Sequence, residues 1–212
     1  MRVFNVRCSG ELAEALAGAV QAVAEREREW WQAQREAVAR RVAAEELSTA
    51  QRALLLADLE TEFARLRETG ELRGTRTAYV LPALGTVLAE RGWARRWKPI
   101  PPGAQRRRGR PWGTHDAGYD ARVTLYLPDA LGETLARACY WTSAPTVARL
   151  QAWYDEFGDH WRGHLHNSRA RWTGRGPTQA DLGTRDQLTA KINTTGRVLR
   201  QAMRRALDSE ER

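Results

Sequence analysis

Residues Arg122-Val-Thr-Leu-Tyr-Leu-Pro-Asp129 carry the secondary-structure pattern around which the rest of the chain is interpreted. Apolar and polar residues alternate along it, which predicts a β-strand with one face toward a core. The inward side chains would be Val123, Leu125 and Leu127, and the outward ones Arg122, Thr124 and Tyr126. Pro128 has no N–H to donate to a sheet and disfavours helix in the residue before it, so the strand should end at Leu127 and a helix should begin near Asp129.

The residues that follow predict two amphipathic helices with a capped turn between them. The first runs to Trp141 and has its apolar residues at helical spacing, namely Leu131, Leu135 and Ala138. Thr142 or Ser143 can cap a second helix that has Pro145 in its first turn. The apolar stripe of the second helix is Val147, Leu150, Tyr154 and Phe157. Both helices are expected to cover the apolar face of the strand.

The order of strand, Leu-Pro-Asp, helix, capped turn and helix resembles the ribbon-helix-helix family of DNA-binding proteins over residues 121–157. In that family two strands from two protomers pair into a ribbon that enters the major groove, which implies a homodimer on double-stranded DNA. The resemblance makes Arg122, Thr124 and Tyr126 base readers, and it makes Ser143 a phosphate contact. The alternative is that these residues are one strand and two helices of a larger core.

The charge of the chain is unevenly distributed. The net charge is +8, yet residues 1–70 hold 10 Arg against 12 Asp and Glu, so the positive excess lies after residue 70. This segregation favours a partner such as nucleic acid or another polyanion. An Arg-rich composition would raise the charge but would not segregate it.

The first 70 residues predict a strand followed by a helical hairpin. Residues 2–7 alternate as a strand does, and Ser9 can cap a long helix after them. A capping box from Ser48 to Gln51 predicts a second helix, so the hairpin spans residues 11–69. Because its charges nearly balance, we expect it to serve in packing, within the protomer or as the seam of a dimer.

A third short strand is predicted over residues 75–81, before Pro82 and a helix. The segment Leu84-Gly-Thr-Val-Leu88-Ala is similar to Leu131-Gly-Glu-Thr-Leu135-Ala, and Leu12-Ala-Glu-Ala-Leu16-Ala is a looser third copy. Each copy follows a candidate strand. Since every strand needs a partner, the repeats leave open a single sheet made of residues 2–7, 76–81 and 122–127 within one monomer.

Residues 91–112 carry eight basic residues and three tryptophans but no acidic residue. The expected DNA contacts in this arm are Arg106, Arg107, Arg108 and Arg110. Arg108-Gly-Arg-Pro111 matches the core of an AT-hook, a segment that lays arginines along a narrow minor groove. A phosphate-binding arm without sequence preference and a basic linker are the alternatives.

Three of the four histidines lie close together, at positions 160, 164 and 166. On a helix His160 and His164 would share one face and could reach a metal, which makes a metal-dependent nuclease a further hypothesis. No third ligand lies at a characteristic spacing, and no phosphate loop or catalytic triad is recognisable. We therefore expect no enzyme, no metal and no cofactor.

Targeting and redox signals are also absent from the sequence. There is no run of 18 apolar residues and no apolar segment behind a basic start, so neither a membrane span nor a secretory signal is expected. Cys8 and Cys139 are isolated, which fits a reducing compartment better than a disulfide framework. The expected location is the cytoplasm.

Together these patterns predict a mostly α fold, a helical hairpin plus a ribbon-helix-helix-like unit with one to three short strands. The expected domains are a helical region at 1–98, with the hairpin at 11–69 and a strand/helix unit at 75–98, a basic linker or arm at 99–120, and a strand-helix-helix unit at 121–212 that ends in one basic helix. The expected function is sequence-specific DNA binding, by a dimeric transcriptional regulator or a plasmid or mobile-element accessory factor. The alternative is a helical scaffold or partner-binding protein with a basic face.

Overall fold

The computed structural model describes residues 1–69, 72, 74–105, 118–166 and 176–209, and for residues 105 and 158–166 only their backbone. Within these ranges the chain is mostly helical, with two short strands. In chain order the elements are β1 (Arg2–Cys8), α1 (Gly10–Glu45), α2 (Thr49–Thr69), α3 (Arg76–Glu90), α4 (Pro102–Gln105), β2 (Ala121–Leu127), α5 (Asp129–His166), α6 (Gln179–Lys191) and α7 (Thr195–Asp208). The predicted mostly α fold with a few short strands is confirmed.

Strands β1 and β2 form a two-stranded antiparallel sheet, termed the ribbon below. The strands predicted at residues 2–7 and 122–127 are therefore confirmed. Asn5 lies opposite Thr124 at the centre of the register. The family resemblance implied a partner strand from a second protomer, whereas here both strands belong to one chain. Because each strand supplies the other with a pairing partner, the ribbon forms without a strand from a second copy.

The prediction of a third strand at residues 75–81 is wrong, because these residues belong to α3. The hydroxyl oxygen of Thr75 accepts a hydrogen bond from the N–H of Ala78 at 3.2 Å and so caps this helix. Pro82 lies inside α3, where it removes one backbone hydrogen bond. Buried side chains recur at helical spacing on both sides of it: Tyr79, Val80, Ala83, Leu84 and Val87. Their burial offsets the cost of the proline.

The predicted helical hairpin is confirmed as α1 and α2. The Ser9 side chain accepts a hydrogen bond from the N–H of Leu12 at 3.4 Å and caps α1. At the start of α2 the side chain of Ser48 accepts from the N–H of Gln51 at 3.3 Å, and the Gln51 side chain accepts from the N–H of Ser48 at 2.8 Å. This is the predicted capping box.

The two helices predicted after β2 are one helix, α5, so the predicted turn before Pro145 is wrong. Ser143 caps no helix start, because it is buried inside α5. Its hydroxyl accepts a hydrogen bond from the N–H of Asn193 at 2.8 Å and donates to the carbonyl of Asn193 at 3.3 Å. Leu135 and Leu150, on either side of the proline, are fully buried. Packing on both sides keeps the helix continuous, and the strand-helix-turn-helix order is not found in residues 121–166.

The single basic helix predicted at the C-terminal end is also divided, into α6 and α7. A capping box of Thr178 and Asp181 starts α6, and the Thr194 hydroxyl accepts from the N–H of Arg197 at 3.1 Å at the start of α7. Between the two helices the backbone of Asn193 bonds to Ser143. That tertiary contact replaces the helical hydrogen bonds of Asn193.

The chain forms two compact units, each made of separated segments. The ribbon unit contains residues 2–87, 119–127 and 199–212, and the second unit contains residue 1 with residues 88–118 and 128–198. Buried apolar residues of the ribbon unit include Val6, Cys8, Leu12, Leu16, Tyr79, Leu84, Val123, Leu125, Leu127, Leu199 and Met203. In the second unit they include Trp93, Leu135, Ala138, Leu150, Trp153, Phe157, Leu188 and Ile192. Strand β2 thus belongs with the N-terminal segments, which the contiguous ranges predicted from the sequence do not anticipate.

None of the helices in the described ranges is long and apolar enough to cross a membrane.

Candidate nucleic-acid interface

Three cross-strand pairs of side chains cover the outward face of the ribbon. Directly opposed residues of an antiparallel pair lie on the same face of a sheet. The register gives the pairs Arg7 with Arg122, Asn5 with Thr124, and Val3 with Tyr126. These six residues are termed the outer face. All of them are exposed except Thr124, which is half-buried. The outward placement of Arg122, Thr124 and Tyr126 is therefore confirmed, while their role as base readers stays a prediction.

The opposite side of the ribbon is apolar except for the exposed Arg2 at one end, and it is termed the inner face. Its buried members are Val6, Cys8, Val123, Leu125 and Leu127, none of which exposes more than 2% of its surface. The predicted inward placement of the three β2 residues is confirmed. Burial of this face holds the outer face in position, because side chains next to each other along a strand point to opposite sides.

Arg7 and Arg122 make one end of the outer face strongly cationic. Opposed residues of an antiparallel pair have Cβ atoms about 4.5–5.5 Å apart, and like charges directly opposite each other destabilise the pairing. Neither side chain has an ion-pair partner in the ranges that the structure describes. The pair is therefore a repulsive feature that a bound anion would neutralise.

The centre and the other end of the outer face are less polar. The Thr124 hydroxyl donates a hydrogen bond to Oδ1 of Asn5 at 3.0 Å, so the amide oxygen is engaged and the NH2 group of this exposed residue remains a donor. Val3 and Tyr126 are large apolar side chains that remain 56% and 51% exposed. Exposed apolar side chains opposite each other on a sheet favour contact with a partner.

Both outer edges of the ribbon carry hydrogen bonds from other parts of the ribbon unit. On the β2 edge the N–H of Tyr126 donates to the hydroxyl oxygen of Thr77 at 2.9 Å. On the β1 edge the carbonyl of Arg7 accepts from the guanidinium of Arg200 at 2.8 Å. Groups that would pair with a third strand are thus already used at these two positions.

Arg200 reaches this edge although it is only 7% exposed. Its guanidinium stacks over the ring of Tyr119, with 4.0 Å between the guanidinium carbon and the ring centroid. Burial raises the pKa of the nearby Cys8 thiol, while the positive charge of Arg200 acts in the opposite direction. Arg200 is therefore part of the support of the ribbon and is not available as a surface cation.

Ser143, the predicted phosphate contact, does not lie at an exposed helix start. It is 4% exposed, and both hydrogen-bonding functions of its hydroxyl are used by Asn193. The geometry behind that prediction is a capped turn at the surface, and this geometry is not found. Ser143 instead joins α5 to the segment between α6 and α7.

Residues 106–117 of the arm predicted at 99–120 lie outside the described residues, and these include Arg106, Arg107, Arg108 and Arg110. The residues just before the arm are held by α5 within the second unit. Arg137 donates to the carbonyl of Trp97 at 3.2 Å, and Trp141 donates to the carbonyl of Lys98 at 2.9 Å. Arg95 is exposed and stacks on Trp97 at 4.3 Å. This short stretch presents a cation on an aromatic ring.

Neither metal binding nor thiol chemistry gains support from the described part of the chain. The backbone of His160, His164 and His166 is in α5, but their side chains lie outside the described residues. Among the side chains that are described, no group of three or more His, Cys, Asp or Glu could hold a metal ion. Burial raises the pKa of Cys139 to about 12, so this thiol stays protonated at neutral pH.

Half of the outer face, namely Val3, Asn5 and Arg7, was not among the residues predicted to bind DNA. The signal was present, because these residues alternate with Phe4, Val6 and Cys8 as they do on β2. Alternation alone does not identify the partner of a strand, and β1 and β2 are separated by most of the chain.

No protein-family model, no curated protein and no solved structure matches this chain.

Proposed function

We propose that this protein binds double-stranded DNA through the outer face of the ribbon and reads its sequence there. The observation that carries the proposal is the exposed Arg7–Arg122 pair, which opposes two like charges on a two-stranded sheet. Such a pair is unfavourable for the isolated protein and favourable beside a polyanion. A transcriptional regulator or an accessory factor of a plasmid or mobile element is the form of this function that the proposal favours.

The shape of the ribbon fits the major groove, which admits a two-stranded β-ribbon. The side chains on its outer face have the chemistry of direct readout. Arg7 and Arg122 can bond to the O6 and N7 atoms of guanine, Asn5 can pair with adenine, and Tyr126 can contact the methyl group of thymine. The net charge of +8 adds attraction to the phosphate backbone, and this part of the affinity should fall with salt.

A second candidate function, partner binding by a helical scaffold, rests on the hairpin of α1 and α2. Between residues 24 and 65 no side chain of the hairpin is buried. Trp30, Trp31 and Phe63 nevertheless cluster there, with ring centroids 4.8–5.6 Å apart. A half-buried aromatic cluster on a hairpin without its own core favours an interaction with another protein. Under this second candidate, and not under the first, the predicted homodimer would form through this surface, since both strands of the ribbon come from one chain.

The test of DNA binding compares the ribbon arginines with an arginine elsewhere. Binding of the full chain to a short duplex of random sequence is titrated at low and moderate salt, with wild type, Arg7→Ala/Arg122→Ala and Arg149→Ala. Arg149 is an exposed residue of α5, so its substitution removes charge without touching the ribbon. We expect the double variant to lose about tenfold or more in affinity, because two cations of the proposed interface no longer neutralise phosphates of the duplex. The Arg149 variant should lose much less.

Equal losses for each charge removed, two in the double variant and one in Arg149→Ala, would show that charge alone drives binding, and the ribbon would lose its proposed role. Absence of salt-sensitive duplex binding in the wild type would contradict the proposal altogether. Circular dichroism of each variant checks that its helices are intact, so a loss of affinity is not mistaken for unfolding.

A further inference from the structure

The two ends of the outer face differ in chemistry. One end carries Arg7 and Arg122, and the other carries Val3 and Tyr126, with the hydrogen-bonded pair of Asn5 and Thr124 between them. At about 3.4 Å per residue along an antiparallel strand, the first and third pairs are about 14 Å apart. Base pairs of DNA are also about 3.4 Å apart, so the outer face spans roughly four of them.

The backbone of the ribbon nevertheless has an approximate twofold symmetry. The sequence repeat aligns Leu12 with Leu131 and Leu16 with Leu135. The same offset in residue number aligns Asn5 with Thr124, and these two residues are the central pair of the strand register. Each strand is followed after a single residue by a long helix, α1 in one case and α5 in the other. Asn5 and Thr124 are therefore equivalent positions of the sequence repeat and also the two residues opposed at the centre of the ribbon.

The side chains break this symmetry. The same offset aligns Arg7 with Tyr126 and Val3 with Arg122 in sequence. Each arginine of one strand therefore corresponds to an apolar residue of the other strand. A ribbon of two identical strands has identical ends and reads a palindromic site, because the symmetry of the DNA site mirrors that of the protein. A ribbon with unlike ends has no such constraint.

From this contrast we infer that one chain binds a non-palindromic DNA site in a single orientation. The arginine end lies over guanine and the Val3–Tyr126 end lies over thymine methyl groups. The inference rests on the proposed function and adds the class of site and the number of chains that read it. The hydrogen bonds at the two outer edges of the ribbon support binding by a single chain. The N–H of Tyr126 and the carbonyl of Arg7, which could pair with a strand of a second chain, are bonded within the same chain.

The experiment is a selection of bound sequences from a duplex library with a randomised core, using the full-length protein, followed by sedimentation of the complex with a selected duplex. We expect an asymmetric consensus, with guanine at one end and thymine at the other, and one chain in contact with each site. Arg122→Gln should lower the preference for guanine roughly 5- to 150-fold and leave thymine preferred. Tyr126→Ala should weaken only the preference for thymine.

The outcomes separate the inference from the proposed function. A palindromic consensus bound by two ribbons would overturn the asymmetric site while the proposed function still stood. A selection without any consensus would overturn the asymmetric site together with sequence reading, and would leave only ribbon-dependent duplex binding. Duplex binding that is indifferent to Arg7→Ala/Arg122→Ala would instead overturn the proposed function, and the inference with it. Because Arg122 and Tyr126 are exposed, their variants should fold, and thermal denaturation of each one checks this.

Discussion

The inner and outer faces of the ribbon share one backbone, yet they present opposite chemistry. On β2 the inner residue Leu125 is fully buried, whereas its neighbour Tyr126 keeps 51% of its surface exposed. On β1 the inner residue Cys8 is fully buried and its neighbour Arg7 is exposed. Neighbouring positions on a strand therefore lie in different environments, one buried and one exposed to solvent. Substitutions on the inner face should affect folding, and substitutions on the outer face should affect what the protein binds.

The largest expected difference between the faces is in thiol reactivity. Cys8 is buried and burial raises its pKa, so it should react with an aromatic disulfide reagent only when the ribbon opens. A cysteine introduced by Asn5→Cys should react on the outer face without opening. With a cost of opening of about 4 kcal/mol or more, the rates should differ by roughly a thousandfold. Both proteins carry Cys139→Ala. The parent then contains Cys8 as its one thiol, and the variant contains Cys8 and the introduced cysteine.

A comparison of neighbouring residues on β2 tests the same division through stability. Leu125→Ala should lower the free energy of unfolding by about 2–5 kcal/mol, because it leaves a cavity beneath the ribbon. Tyr126→Ala should cost less than about 1 kcal/mol, since its side chain is half exposed. Urea denaturation followed by circular dichroism measures both. The reverse order would mean that the exposed face is the one that packs.

A charge reversal should move stability and binding in opposite directions. Arg122→Glu places a carboxylate opposite Arg7, and a cross-strand pair of opposite charges contributes about 0.2–1 kcal/mol. The variant should therefore be slightly more stable than wild type, and it should bind duplex DNA more weakly. Arg149→Glu makes the same change of charge on α5 without an opposed arginine and serves as the control. If Arg122→Glu lost stability together with binding, the Arg7–Arg122 pair would not be the repulsive feature described above.

The smallest expected effect concerns the central pair. Thr124→Val removes the hydrogen bond to Asn5 but keeps a β-branched side chain that suits a strand. We expect a loss of stability below about 1 kcal/mol. A double-mutant cycle with Asn5→Ala should recover most of that loss as coupling. A coupling of zero would show that the hydrogen bond does not order the centre of the outer face.

Local signals in the sequence were sufficient to predict several elements of this fold. The alternation of residues 122–127, the end of that strand before Pro128 and the caps at Ser9 and Ser48 all agree with the structure. These signals depend on interactions between residues at most a few positions apart. Local signals gave wrong predictions at two places. At residues 75–81 a β-rich composition indicated a strand, and before Pro145 the proline indicated a turn.

At those two places burial against distant residues outweighed the local preference. Tyr79 donates a hydrogen bond to the carbonyl of Ala206 at 3.4 Å, and Ser143 bonds to Asn193. Neither partner is visible in the neighbouring sequence. Burial of side chains on both sides of a proline stabilises the helix by more free energy than the loss of one backbone hydrogen bond costs.

Periodicity, capping and composition predicted the two faces of β2, the hairpin of α1 and α2 and the excess of positive charge, because these are properties of short segments. Only the tertiary structure decided that β1 is the partner of β2, and with it that Val3, Asn5 and Arg7 complete the outer face. A strand offers the same backbone donors and acceptors to every other strand. Its partner is therefore selected by burial of the inner face across the whole chain, which no local pattern specifies.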